Sequence, residues 1–179
     1  MEDRFVEENV RHRLILSGMA ELEEHGIAGF SLRRAADAAQ VSCAAPYRHF
    51  RGKDEYIAEI ISFVVSKWEL LSKEIKAIFK NDVALLVIET CVANLRFRIA
   101  NRNFPLALAH SKDSGKTIDD GIGDVVEIYC KEKGLDDEAF RLKRFFALSM
   151  IFGAASMVSD ENSDEIFALT RKKLSEEFK

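Results

Sequence analysis

An all-α protein is predicted from three observations. The 179 residues include only 2 prolines and 9 glycines beside abundant Ala, Leu, Ile, Glu and Lys, a composition that favours helices over turn-rich β structure. Apolar residues recur at spacings of three and four through most of the chain, the period of a helix with one buried face. Between Ser31 and Lys53 two short helical patterns are separated by Gln40-Val41-Ser42 alone, which is the plan of a helix-turn-helix. The expected architecture is an N-terminal three-helix unit carrying that motif, joined by a long fourth helix to a C-terminal helical domain. Residues 9–68 form the first domain and 69–179 the second.

In chain order, Phe5 to His25 carries Val6, Val10, Leu14, Ile15, Met19 and Leu22 on one helical stripe, and Gly26 fits the left-handed position that stops a helix. Ile27 and Phe30 are expected to plug the core of the small unit. Ser31 is the N-cap of a second helix, Leu32 to Ala39, whose buried face is Leu32, Ala35, Ala36 and Ala39. With Ser42 as the next cap, the third helix runs from Cys43 to Phe50. Pro46 then falls at its fourth position, where it forfeits a single backbone hydrogen bond. Phe50 and Val41 should pack inward, leaving Tyr47, Arg48 and His49 at the rim, suited to phosphate oxygens.

Gly52 marks a turn, Asp54 and Glu55 suit the positive end of the next helix, and Lys53 is free to meet a phosphate. That fourth helix keeps an apolar stripe to Phe79, a length of about 35 Å. Further helices are expected over Val83 to Ala100 behind an Asn81-Asp82 cap, Phe104 to His110, and Thr117 to Lys133 ending at Gly134. Asp136 or Asp137 caps Phe140 to Ser159, and a last helix starts at Asn162 or Ser163. The helix from Phe140 is apolar on nearly every side, so it must be buried on more than one face, and a second subunit is the economical source of that burial.

Charge and motifs narrow the function. The formal net charge is -4, yet Ser31 to Lys53 holds Arg33, Arg34, Arg48, Arg51 and Lys53 against one acid, Asp37. A basic island in an acidic chain asks for a polyanion. The three cysteines and four histidines are scattered without metal-ligand spacing, and no glycine-rich phosphate loop or GxSxG elbow is present. No metal, no cofactor and no enzymatic activity are expected. The first residues are acidic and no run of 18 apolar residues occurs, so a cytoplasmic protein away from the membrane is expected.

The run from Asn9 to Trp68 resembles the N-terminal domain of the tetracycline-repressor (TetR) family of bacterial transcription regulators. The resemblance rests on Arg13 to Leu16; Gly26 with Ser31, Leu32, Arg33, Ala35 and Ala36; Val41, Ser42, Ala45, Tyr47, Arg48, His49 and Phe50; and Lys53 with Asp54. Two departures stand out. Gln40 occupies a turn position where the family has glycine, which forces a non-glycine residue into a strained conformation, and Pro46 replaces a usual Leu or Ile.

The resemblance implies a homodimer of nine- or ten-helix subunits with a C-terminal effector-binding domain. It implies that Ser42, Cys43, Ala44 and Ala45 face DNA bases and that Tyr47, His49 and Lys53 meet the backbone. Ser31 is grouped with these, and Arg33, Arg34 and Arg48 are the main polar groups available for the duplex. The implied function is a repressor released from a pseudo-palindromic operator by an unidentified small molecule; a helical dimerisation protein or carrier that does not bind DNA is the alternative. Trp68, Phe97, Phe104, His110, Tyr129 and Phe146 are the residues offered as lining for an effector pocket.

Overall fold

In a computed structural model of the chain, residues 2–102 and 117–179 are described, with side chains from residue 9 onward. Among the described residues all regular structure is helical: α1 Glu2–Gly29, α2 Leu32–Ala38, α3 Ala45–His49, α4 Lys53–Ile78, α5 Val83–Ala100, α6 Asp120–Glu132, α7 Asp137–Met157 and α8 Ser163–Glu177. The expected short helix over Phe104 to His110 lies outside the described residues. The chain divides into two compact units, and the division falls inside α4, between Val64 and Val65.

In the N-terminal unit, Leu14, Ile15 and Leu22 of α1 are buried, as are Ala35, Ala36, Phe50, Tyr56, Ile57 and Ile60. Gly18 lets α1 and α4 approach: a Cβ there would lie 2.7 Å from Ile60 Cδ1 and 2.9 Å from the Tyr56 hydroxyl. Tyr56 donates its hydroxyl proton to the Leu14 carbonyl and stacks on Phe50 with ring centroids 4.2 Å apart, while burial pushes its phenol up to about 12.

One expectation for α1 holds and one needs correction. Gly26 has φ 64 but ψ -179. This conformation is open essentially to glycine alone, and it interrupts the helix at the expected residue, with a second short helical segment following to Gly29. Ile27, on the far side of that interruption, is exposed, and Phe30 alone plugs the core.

The C-terminal unit is built on α5, which packs against α6, α7 and α8. Its caps are legible in the sequence: Asp82 accepts from the Leu85 amide at 2.9 Å and Asp136 from the Ala139 amide at 2.8 Å. A polar chain crosses the core at the start of α6. Buried Asn94 donates to the Ile118 carbonyl at 3.2 Å and accepts from Arg98 Nε at 2.8 Å. Arg98 also pairs with Asp119, so the approach to α6 is fixed to α5.

Candidate nucleic-acid interface

The helix-turn-helix is shaped by two backbone constraints. Ala36 accepts from the Val41 amide at 3.1 Å, so the chain must reverse within Ala39 and Gln40. Gln40 does so with φ 55, the left-handed conformation that the missing glycine demanded, at a cost of roughly 1–2 kcal/mol for an L-residue.

Proline sets the second constraint. Ser42 accepts from the Ala45 amide at 2.8 Å, closing a turn over Cys43 and Ala44, and α3 begins at Ala45 with Pro46 in its first turn. A proline is pre-organised there and loses no helical hydrogen bond. The expected start at Cys43 with a Ser42 cap is thus corrected: Ala44 is the N-cap position and makes no side-chain capping bond.

These constraints sort the residues expected to meet DNA. Arg33, Ser42, Cys43, Ala44, Tyr47 and Arg48 are exposed and His49 is half-buried; Tyr47 is 65% exposed although it follows a buried proline. Ala45 is buried, because as the first residue of α3 it faces the core. It is therefore withdrawn from the residues facing bases.

Arg34 also departs from expectation. Its Nε donates to both carboxylate oxygens of Glu21, at 2.9 and 3.1 Å. Its Nη2 pairs with the same carboxylate and donates to the Gly29 carbonyl at 2.6 Å. This guanidinium binds α2 to α1 and the loop before it, so its charge is already balanced. Lys53 Nζ donates to the Ala28 carbonyl at 3.2 Å, and Ser31 accepts from the Arg34 amide as N-cap at 3.4 Å.

Glu21 is the residue that reading for positive charge missed. It is buried, it accepts the Ser31 amide at 3.0 Å, and His25 Nδ1 lies 3.5 Å away. Burial pushes its carboxyl up, but hydrogen bonds from Arg34 and Ser31 and the charges of Arg34 and His25 outweigh that and hold it below its ordinary 4.5. The sequence does carry a signal. Glu21 falls on the helical face of Leu14, Gly18 and Leu22, and a carboxylate on a buried stripe requires a cationic partner.

Among the described residues, those offered for an effector pocket do not converge. Trp68 and Phe97 are neighbours with ring centroids 5.5 Å apart. Tyr129 is core instead, because Phe178 packs edge-on against it at 5.1 Å and its hydroxyl donates to the Lys179 carbonyl at 2.9 Å. Phe146 lines a groove between α7 and α8. Phe104 and His110 lie outside the described residues. No cluster of three or more metal-ligating side chains occurs among the described residues, nor is any described helix long and apolar enough to cross a membrane.

Residues 14–60 match the family model described as bacterial regulatory proteins, tetR family. No curated protein matches the sequence. Among solved structures, the chain is similar to a transcriptional regulator FadR from Bacillus subtilis in complex with stearoyl-CoA, at 12% identity and TM-score 0.66, covering 93% of this chain and 97% of that one. It is similar to HlyIIR, a hemolysin II transcriptional regulator, at 13% identity and TM-score 0.58, covering 91% and 97%. A TetR variant from Acinetobacter baumannii AYE in complex with minocycline is similar at 17% identity and TM-score 0.58, covering 92% of both chains. At these identities the three share the fold.

Proposed function

We propose, from the match of residues 14–60 to the family model of tetR-type bacterial regulatory proteins, that the chain is a DNA-binding transcriptional regulator: a cytoplasmic homodimeric repressor that leaves a pseudo-palindromic operator when a small molecule fills its C-terminal unit. The observation that carries the DNA reading is the exposed set Arg33, Tyr47 and Arg48 around a rigidly turned α3, in a chain of net charge -4. Two such helices about one DNA turn apart, roughly 34–36 Å, would enter successive major grooves. The protein has no enzymatic role in this reading.

Support for the dimer comes from α7 and α8. Leu142 and Phe145 are 62% and 71% exposed, and with Ser149 and Phe152 they follow the three–four spacing of one helical stripe. An apolar stripe of this length on a soluble regulator marks an association surface. Support for an effector comes from two of the similar structures being complexes with small molecules, stearoyl-CoA and minocycline. Because α4 belongs to both units, a ligand that prefers one conformation of its C-terminal half would shift the population competent for DNA.

The test is the salt dependence of operator binding. Arg48→Ala should weaken binding and reduce the slope of log K against log salt by about one, the signature of one lost phosphate contact. An unchanged affinity and slope would remove Arg48 from the interface.

A further inference from the structure

In the C-terminal unit, Trp68, Ser72 and Lys73 of α4 face Thr117, Gly121 and Asp124 across a cavity of about 310 Å³. Trp68 is 2% exposed and Ser72 6%, yet neither the indole Nε1–H nor the Ser72 hydroxyl hydrogen-bonds to any described residue. Thr90 Oγ1 is the one fully buried side-chain polar atom without a partner among the described residues, so the indole and the hydroxyl keep access to solvent at the cavity. Both border one spot: a Cβ on Gly121 would lie 3.3 Å from Trp68 Nε1 and 3.6 Å from Ser72 Oγ. The glycine therefore keeps open, in front of the two donors, a space that no described residue occupies.

Charge adds a third group. Lys76 is held by Asp124 at 3.3 Å, whereas Lys73 makes no ion pair among the described residues. One indole N–H, one hydroxyl and one unneutralised ammonium together complement a negatively charged oxygen. A single free cation suits a monoanion; the carboxylates of Glu69 and Asp124 at the same cavity oppose a dianion such as phosphate. The volume is near the lower end of small-molecule sites, roughly 300–1,000 Å³, which restricts the ligand to a small one.

We infer that this cavity binds a small organic monocarboxylate, whose oxygens accept from Trp68 Nε1–H and Ser72 Oγ–H while Lys73 balances its charge. As the identity of the effector, this rests on the regulatory reading above; as a binding site, it stands on the cavity.

Trp68 is the one tryptophan of the chain, so its emission reports the cavity without a label. Titrating the full-length protein with butyrate, hexanoate and benzoate should change that emission saturably for at least one of them. The matching amides should bind about tenfold more weakly or worse, the scale of one charge-assisted contact. Lys73→Met should weaken carboxylate binding to a similar degree, and Gly121→Ala should abolish it. If Gly121→Ala fails to fold, the surface change Lys73→Met decides alone.

No saturable response to any of the three acids, an equal response in Lys73→Met, or tighter binding of inorganic phosphate would overturn the assignment. Should those results come while operator DNA is still bound, the cavity assignment fails and the DNA-binding reading survives. Carboxylate binding that leaves the operator complex intact would keep the site and overturn its regulatory role.

Discussion

Phe145→Glu is expected to convert the protein into a folded monomer that no longer retards its operator. Phe145 projects from α7 into solvent at 71% exposure, between Leu142 and the small residue Ser149 on the same stripe, and α8 adds Leu169 beside the α7 groove. In a two-fold interface the same patch serves both subunits, so one substitution places two carboxylates in apolar surroundings. Truncating a central aromatic anchor alone costs about 2 kcal/mol or more, and burying a charge adds to that. The subunit itself should lose little, because the side chain makes no core contact in the single chain. Sedimentation and a gel shift check the result; a Phe145→Glu protein that still sediments as a dimer would refute this interface.

Glu21→Ala should impair DNA binding from within the protein, and Arg34→Ala should copy it. The Glu21 carboxylate fixes the Ser31 amide and the Arg34 guanidinium together, so removing it frees the start of α2 and costs about 1–3 kcal/mol of stability. Each single variant breaks the same clamp, so the double variant should be little worse than either. Arg34 neutralises Glu21 and no phosphate, hence Arg34→Ala should lower operator affinity without changing the salt slope, the reverse of the slope change expected at Arg48.

Acid distinguishes the clamp further. The folded pKa of Glu21 lies below its ordinary value, so its stabilisation is complete above pH about 4.5 and is lost as pH falls through the folded pKa. Glu21→Gln should lack this part of the acid limb in urea unfolding followed from neutral to low pH. An acid limb identical to that of the unmodified protein would show that Glu21 is not held in this way.

Much of this was written in local signals. Ser31, Asp82 and Asp136 announce their helix starts because a short polar side chain before an apolar periodic run has one economical use. Gly134, with φ 64, announces an end for the matching reason. Gln40 was legible as strain because the left-handed position is fixed by the turn and not by the residue that fills it.

What stayed hidden depends on residues far apart. Arg34 looks like a member of a basic patch until Glu21, thirteen residues earlier and on another helix, is seen to hold it. Ala45 reads as a small residue facing DNA until Pro46 delays the start of α3 and turns it inward. Tyr129 reads as a pocket aromatic until the end of the chain folds back and Phe178 covers it. The donors at Trp68 and Ser72 emerge only when Gly121, from a different helix, is set beside them.

The most direct test is a gel shift of the full-length protein with the DNA flanking its own gene. At about 50 mM salt a saturable complex should form that survives excess unrelated duplex, and its log K should fall linearly with log salt up to about 200 mM. A complex displaced equally well by unrelated duplex, or no complex at the lower salt, would contradict a sequence-specific DNA-binding regulator.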